Sequence, residues 1–392
     1  RFLIVTERRR FLRKSAALAV ACAWPLGNLH ALDDEKLDLV IRGGEVIDPS
    51  QSLHAKRDIG IRWGHIVAVE LQIDPARALQ SIDASGKLVM PLEKADISKL
   101  LATGWKPPIP IKVKADDGKT DLYGMMFRPT TFDPSKKYPI INNAYPGPQS
   151  GSVGSRAFTA ARGDRQALAE LGFVLVTIDG RGNPDRSKSF HDYYYGRMGR
   201  DNTLPDQVAG MKDLARQYPS LIDIDRAAMW GHSGGGFITA DAMFRYPDFF
   251  KVGISESGNH DQRQYEDDWG ERYQGLLVRN PDGTDNYDIE ANQTFAKNLK
   301  GHLLLAHGTM DNNVPPYNTL LVVDALIKAN KDFDLLMIPN VAHGFGAASN
   351  YMMRRRWDYF VKWLWNAEPP KDYEIRDPAS AGRGGRGGRG GS

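Results

Sequence analysis

The chain has 392 residues, of which 41% are hydrophobic, so it is long enough to bury a large core in two or three domains. Its formal net charge is only +3, from 51 basic and 48 acidic residues, and this balance does not call for a nucleic-acid partner. Cys22 is the only cysteine, which excludes an intramolecular disulfide.

Residues 1–31 have the pattern of an export signal. Arg8, Arg9 and Arg10 precede a short apolar run, and small residues follow near Ala31. The paired arginines resemble a twin-arginine signal, and the run is too short for a comfortable membrane span. We expect a protein that is exported to the periplasm or secreted. A basic amphipathic N-terminal helix is the alternative.

Residues 32–91 are predicted to form a small β segment. Gly43 and Gly44 suggest a turn between two strands, Trp63-Gly64 marks a hairpin, and "QSIDASGKLVMP" predicts two more short strands. From Asp38 to Pro91 the order of turns resembles the N-terminal β-sandwich of the amidohydrolase superfamily.

The resemblance to the amidohydrolase superfamily ends at Pro91, just before the residues that would bind metal in that superfamily. In the amidohydrolase superfamily a barrel strand with a His-x-His metal pair comes next, but here Pro91 is followed by "LEKADISKLL". No His-x-His pair occurs anywhere in the chain, so we expect no metal site. A fused origin is our hypothesis for this segment, and it requires residues 38–91 not to complete the sheet of the following domain.

Residues 92–372 alternate between short apolar runs and amphipathic stretches. A hairpin that turns at Asp117-Gly118 is followed by buried strands that alternate with helices, which predicts a mostly parallel sheet with helices on both faces. This is the layout of the α/β-hydrolase fold. The predicted strands are "YPIINNAY", "GFVLVTIDG", "RAAMWGH", "KVGISES", "HLLLAHG" and "FDLLMIPN".

The stretch "GHSGGG" lies between a predicted strand, "AAMW", and a predicted helix, "GGFITADAMF". A serine flanked by glycines two residues away on each side, in a strand–turn–helix setting, is typical of a nucleophile elbow. This pattern makes Ser233 a candidate nucleophile. The amide of Gly234 would then point at a developing oxyanion from the helix N-terminus.

A catalytic serine needs a base and an acid that orients the base. Asp311 follows the predicted strand "HLLLAHG" and His343 follows "FDLLMIPN", so both have the chain order and the strand-end position of triad partners. We expect His232 to pack beside the serine and His307 to make a structural hydrogen bond. His191 and His260 lie in predicted loops and are weaker candidates for lining the cleft.

The region from about Lys112 to Trp365 resembles the catalytic domain of the prolyl oligopeptidase family, in particular its dipeptidyl peptidase IV branch. The runs that carry the resemblance are "YPGPQS", "TIDGRGN", "MWGHSGGGF", "WGERYQG", "HGTMDNNV" and "AHGF", in family order. The resemblance implies that the hydroxyl of Tyr145 completes the oxyanion hole beside Gly234. It also implies a bracing role for Arg181.

The same resemblance implies a substrate pocket. Trp269 and Tyr273 match two aromatic residues that wall a pocket for proline or alanine, although Trp269 stands where a tyrosine is usual. Asn313 matches a residue that holds the substrate carbonyl, and Val314 matches a pocket wall. Without the resemblance, an aromatic pair four residues apart on a helix indicates an ordinary core contact.

We therefore expect a serine hydrolase that needs no cofactor and acts on a peptide or a small ester. The family's β-propeller, which screens substrates, has no counterpart in this sequence, so an open site with relaxed specificity is expected. A carboxylesterase with the same triad is the alternative, and a catalytically silent fusion that only binds ligands is a third hypothesis. Residues 373–392 are predicted to be a flexible Arg/Gly-rich tail, and the sequence leaves a homo-oligomer open.

Overall fold

The computed structural model describes residues 36–48, 51–62, 65–89, 97–153, 163–198 and 202–375. The export-like segment of residues 1–31 and nearly all of the predicted tail lie outside the described residues. The chain divides into two compact units, residues 1–110 and residues 111–392. The boundary predicted after residue 91 also falls outside the described part.

The first unit contains a five-stranded sheet of its own, in the order β3-β2-β1-β4, with β5 also paired to β1. Its strands are β1 (Leu37–Asp48), β2 (Leu53–Arg62), β3 (His65–Glu70), β4 (Ala78–Asp83) and β5 (Leu88–Val89). A 3-10 turn spans Pro75–Arg77, and a short helix, α1, spans Ser98–Leu101. The antiparallel pairing of β2 with β3 confirms the predicted hairpin, and none of the described strands β1–β5 joins the second sheet.

The turn predicted at Gly43-Gly44 is wrong. Both glycines lie inside the single strand β1, where the pairing with β2 shifts register between Ile41 and Gly44. Gly43 has a φ of +66°, and its amide donates a hydrogen bond of 2.7 Å to the carboxylate of Asp58. The buried Asp58 side chain therefore takes the place of a strand partner, and the glycines form a bulge that lets the strand continue.

The second unit is built on an eight-stranded sheet with the order β13-β12-β11-β10-β8-β9-β7-β6. Its strands are β6 (Ile109–Lys114), β7 (Asp121–Phe127), β8 (Tyr138–Asn143), β9 (Val174–Asp179), β10 (Ile222–His232), β11 (Phe250–Glu256), β12 (His302–Gly308) and β13 (Asp334–Ile338). From β9 to β13 along this order every neighbouring pair is parallel, whereas β7 is antiparallel to β9. A backbone bond of 2.9 Å between Ala115 and Thr120 closes the predicted hairpin.

Helices fill the connections between the parallel strands. They are α2 (Asp164–Glu170), α3 (Lys188–His191), α4 (Leu204–Gln217), α5 (Gly234–Arg245), α6 (Asp267–Gln274), α7 (Tyr317–Lys328) and α8 (Ser349–Leu364). Further 3-10 turns span Gln262–Gln264, Asn292–Asn298 and Gly346–Ala348. The large apolar core lies between the sheet and α2 and α8, where Phe173 packs against Phe360 and Trp365.

This α/β-hydrolase topology determines where the predicted residues meet. Ser233 directly follows β10, Asp311 comes shortly after β12, and His343 comes shortly after β13. Because β10 to β13 are parallel neighbours, their carboxyl ends share one edge of the sheet. The three side chains therefore lie at the same edge.

Candidate active site

Ser233 occupies a strained turn between β10 and α5. Its backbone has a φ of 61° and a ψ of −123°, a conformation that costs a non-glycine residue free energy. Two backbone bonds hold the turn: the Ser233 amide donates to the Glu256 carbonyl at 2.8 Å, and the Phe237 amide donates to the Ser233 carbonyl at 3.0 Å. The side chain is consequently held by backbone contacts at the edge of the sheet.

The glycines around the serine are required by space. A Cβ on Gly231 or on Gly235 would lie 2.7 or 2.6 Å from the carbonyl oxygen of Ala144. A Cβ on Gly236 would overlap the carbonyl of Glu256. The strand and the helix can approach this closely only without side chains, as the sequence pattern predicts.

Tyr145 lies directly against this turn. Its hydroxyl is within hydrogen-bonding reach of the Ser233 side chain and of the Gly234 amide, and it accepts a bond of 2.9 Å from Gln149. Burial raises the pKa of Tyr145, so the phenol stays protonated at neutral pH. The phenol and the Gly234 amide are therefore two adjacent donors beside the serine.

His343 and Asp311 form a charge-assisted pair. His343 Nδ1 donates to Asp311 Oδ2 at 2.7 Å, while Asp311 Oδ1 accepts backbone amides of Asn313 at 3.0 Å and Val314 at 2.9 Å. Asp311 is buried, whereas a quarter of the His343 side chain is exposed. This arrangement fixes the imidazole with Nε2 available for proton transfer.

His307 supports Asp311 from the interior. It is fully buried, with Nε2 lying 3.0 Å from the Val314 carbonyl and 3.2 Å from Asp311 Oδ2, and Nδ1 lying 2.7 Å from the Thr319 hydroxyl. Burial lowers the pKa of His307. The expected structural hydrogen bond is confirmed.

His232 connects the serine turn to the loop of His343. Its ring centroid lies 4.5 Å from that of His343 and 5.4 Å from that of Phe345, and its Nδ1 lies 3.8 Å from Glu256 Oε2. Burial lowers the pKa of His232, which keeps it neutral. It packs beside the serine as expected, and it brings the loop of His343 against the residue next to Ser233.

An aromatic row, defined as Tyr265, Trp269 and Tyr273, lies along α6 and the segment before it. The ring centroids of successive members are 5.6 and 5.1 Å apart. The Tyr265 hydroxyl hydrogen-bonds to Asn313, which places one end of the row beside the loop of Asp311. Burial, ahead of nearby carboxylates, raises the pKa of Tyr265 to about 12.

Sequence reasoning missed Tyr265. It belongs to the row at the same four-residue spacing as Trp269 and Tyr273, and that spacing is the signal that could have found it. Asn313 is exposed, as a residue that binds substrate should be, whereas Val314 has no exposed surface. The structure therefore gives no support to Val314 as a pocket wall.

Arg181 braces the adjacent strand end. Its buried guanidinium donates to Asp206 at 2.7 and 2.9 Å and to Asp117 at 3.1 Å, and it also pairs with Asp116. These bonds tie the end of β9 to α4 and to the hairpin of β6 and β7. They are consistent with the structural role expected for Arg181.

Among the described residues, no group of three or more His, Cys, Asp or Glu side chains is arranged to hold a metal ion. None of the described helices combines the length and the apolar character needed to cross a membrane.

Comparison with known proteins identifies the family of this chain. The model of the prolyl oligopeptidase family matches residues 160–367, more than half of the chain. The chain therefore belongs to the prolyl oligopeptidase family, a family of serine peptidases.

Similar proteins include several named as dipeptidyl peptidases. Dipeptidyl peptidase 8 of Mus musculus is 33% identical over 239 residues, which cover 61% of this chain and 26% of the mouse protein. "Probable dipeptidyl-aminopeptidase B" of Ajellomyces capsulatus (strain H88) is 32% identical over 265 residues, covering 64% of this chain and 28% of the fungal protein. The chain thus spans about a quarter of the length of these curated relatives.

A solved structure shows the same fold. Dipeptidyl peptidase 4 of Porphyromonas gingivalis superimposes with a TM-score of 0.60 at 25% sequence identity, covering 80% of this chain and 40% of that protein.

Proposed function

We propose that the chain is a serine peptidase in which Ser233 is the nucleophile, His343 the general base and Asp311 the residue that orients the base. The observation that carries the proposal is the 2.7 Å bond from His343 Nδ1 to Asp311, at the sheet edge where Tyr145 contacts the Ser233 side chain. Membership of a serine peptidase family supports the same assignment.

The proposed reaction begins when Ser233 Oγ attacks the substrate carbonyl carbon and its proton passes to His343 Nε2. The carbonyl electron pair moves onto oxygen, and the Tyr145 hydroxyl and the Gly234 amide stabilise this oxyanion. The His343 imidazolium, stabilised by Asp311, then protonates the leaving nitrogen as the C–N bond breaks. Water repeats the cycle on the resulting acyl ester and releases the acid.

For specificity we propose that the aromatic row takes the residue whose carbonyl is attacked. Flat, rigid aromatic walls suit a compact apolar side chain such as proline or alanine. The exposed amide of Asn313, beside Tyr265, would hold a substrate carbonyl. From the names of the relatives we further propose cleavage two residues from an amino terminus.

The test compares two chromogenic substrates and one covalent probe. A Gly-Pro anilide and a short-chain p-nitrophenyl ester are assayed with the wild-type chain and with Ser233→Ala. A fluorophosphonate reports the activated serine directly. Ser135→Ala, which changes an exposed turn serine, is the matched control.

We expect the wild type to label and to hydrolyse the anilide, and Ser233→Ala to lose labelling and at least ~10⁴-fold in turnover. Ser135→Ala should behave as the wild type. Fast ester turnover with anilide turnover near background would replace the peptidase by a carboxylesterase. Labelling that survives Ser233→Ala would overturn the assignment of the nucleophile.

A further inference from the structure

A cavity adjoins the proposed site, and the mechanism above does not use it. Its volume is about 490 Å³, within the range of cavities that hold small ligands. Its walls come from three places: Pro148 of the Tyr145 loop, the segment of residues 188–197, and Arg272 and Tyr273 at the end of α6.

The cavity shares residues with the site. Tyr273 lines it and is also the last member of the aromatic row. Tyr194, another lining residue, donates from its hydroxyl to the Pro146 carbonyl at 2.8 Å, next to Tyr145 in the chain. Burial raises the pKa of Tyr194, and the neighbouring phenols of Tyr145 and Tyr273 add to this, which places Tyr194 close to both. The cavity is therefore next to the place where the acyl group would bind.

Backbone bonds keep the walls together. The Gly196 amide donates to the Tyr273 carbonyl at 2.8 Å, and the Met198 amide donates to the Gln274 side chain at 2.8 Å. His191 Nε2 lies 2.9 Å from the Pro148 carbonyl. The segment is thus attached to α6 on one side and to the Tyr145 loop on the other, so the cavity is a formed feature of the fold.

The lining is cationic and aromatic. Lys188, Arg197 and Arg272 line it, and Asp192 is the one carboxylate among the lining residues. Asp192 is already paired with Lys188. In the part of the chain that the structure describes, Arg272 forms no ion pair; its guanidinium lies 6.0 Å from the Tyr273 ring centroid. Among the described residues, none supplies a counter-charge in an ion pair with this arginine next to the site.

A planar guanidinium next to tyrosine rings is suited to a carboxylate, which it can bind through two parallel hydrogen bonds. We propose that this cavity is a substrate subsite for a carboxylate of a peptide, either an acidic side chain or the free carboxyl terminus. The proposal rests on the proposed function, because it describes what the Ser233 site selects. Both sources present the same group to Arg197 and Arg272.

The experiment uses the full chain and two substrate series. Glu-Pro and Gln-Pro anilides vary the charge on the acyl side at matched size, with Gly-Pro anilide as the reference without a side chain, and Gly-Pro-Ala with a free or amidated carboxyl terminus varies the charge on the leaving side. The variants are Arg197→Gln, Arg272→Gln and their combination. Arg216→Gln, which removes the same charge from an exposed arginine on α4, is the control.

In one of the two series we expect kcat/KM to be roughly tenfold higher for the charged substrate than for its neutral match. In the double variant this ratio of charged to neutral kcat/KM should fall towards one. Arg216→Gln should keep the ratio. A preference for Glu over Gln assigns the cavity to an acidic side chain, and a preference for the free carboxyl terminus assigns it to the leaving side.

No preference in either series, or a preference that the double variant keeps, would overturn the subsite. Fluorophosphonate labelling separates this from failure of the proposed function, because a chain that labels at Ser233 without a charge preference loses only the subsite. If the fluorophosphonate labels the chain but no anilide is hydrolysed, the same peptides can be tested as competitors of labelling. The ratio of the protection by the charged peptide to that by the neutral peptide then replaces the ratio of kcat/KM. Equal protection by the charged and neutral peptides then counts against the subsite.

Discussion

The serine turn and helix α6 both contain glycine, but for different reasons. At Gly231 and Gly235 an added Cβ would lie within 2.7 Å of a backbone oxygen, so no side chain fits. At Gly270 in α6 the nearest atoms to an added Cβ lie 3.6 to 3.7 Å away, an ordinary contact. The proposed nucleophile is held by backbone packing, whereas the proposed substrate wall on α6 is made by side chains on an ordinary helix.

The two regions therefore differ in how well they tolerate substitution. The nucleophile side, meaning the turn from Gly231 to Gly236 with its neighbours Ala144 and Glu256, has no room for a side chain at Gly231, Gly235 or Gly236. The proposed substrate side, meaning the aromatic row and the cavity, is lined mostly by partly or fully exposed side chains from α6 and from residues 188–197, with Tyr194 buried. We therefore expect specificity to change more easily than chemistry.

The largest expected effect tests the contrast directly. Gly235→Ala should destabilise the fold by about 3 kcal/mol and abolish fluorophosphonate labelling, because the new methyl would overlap the Ala144 carbonyl. Gly270→Ala should change the free energy of unfolding by no more than about 1 kcal/mol, in the stabilising direction, and keep labelling. Denaturant unfolding and labelling measure both. If Gly235→Ala and Gly270→Ala had equal effects on unfolding and on labelling, the contrast between the serine turn and α6 would be wrong.

The second effect concerns the acid of the proposed triad. Asp311→Asn should lower kcat by about 10⁴-fold, because an amide cannot hold the His343 tautomer or stabilise its charged form. Steady-state kinetics with the anilide measures the loss. The control is a thermal melt of the variant and of the wild type, which shows whether Asp311→Asn is still folded at the assay temperature. A loss below tenfold would show that Asp311 does not orient the base.

The third effect concerns the proposed oxyanion hole. Tyr145→Phe should lower kcat by about 10²- to 10³-fold with little change in KM, because the hydroxyl would act mainly in the transition state. Tyr123→Phe removes a hydroxyl from a partly exposed tyrosine on β7 and should be silent. If KM rises and kcat holds, Tyr145 binds substrate rather than the oxyanion.

The smallest effect is a pH dependence of the free energy of unfolding that comes from His260. Burial, together with neighbouring His307, lowers the pKa of His260 from 6.5 to about 3. Between pH 3 and pH 6.5 the unfolded chain binds more protons at His260 than the folded chain does. The free energy of unfolding is therefore highest above pH 6.5, and it decreases as the pH falls through this range. The slope is about 1.4 kcal/mol per pH unit.

The pH dependence can be measured by urea unfolding from pH 6 to pH 4. His260→Gln should reduce the slope of the free energy of unfolding against pH by about 1.4 kcal/mol per pH unit. This change in slope is expected whatever the effect of the substitution on stability at neutral pH. Parallel curves for the wild type and the variant would contradict the assignment. His260 was a weak candidate for the cleft; it is instead fully buried, with Nδ1 2.9 Å from the Asn292 side chain.

The sequence predicted the parts of the molecule that depend on short-range spacing. The elbow around Ser233, the strands and the main helices follow from glycine positions and hydrophobic period, and the parallel order then brings Asp311 and His343 to the same edge. The bulge at Gly43 could not be predicted in this way, because it depends on a carboxylate from another strand.

Long-range contacts explain the other omissions. The four-residue spacing could have placed Tyr265 in the aromatic row, but its hydrogen bond to Asn313 is a long-range contact that this spacing does not predict. His191 was predicted to lie in a loop and was a weaker candidate for lining the cleft; it is the last residue of α3, it lines the cavity, and its Nε2 lies 2.9 Å from the Pro148 carbonyl. Features that depend on three separate segments leave no periodic signal in the chain.

The link between Glu256 and helix α8 has a consequence for how the protein is made. The Glu256 carbonyl holds the Ser233 amide, and the Glu256 side chain accepts bonds of 2.7 and 2.8 Å from Arg356, one hundred residues further along. While the chain is being synthesised, the segment with Ser233 leaves the ribosome well before Arg356 does. We therefore expect a nascent chain to carry Ser233 without this support, and peptidase activity to appear only when helix α8 docks.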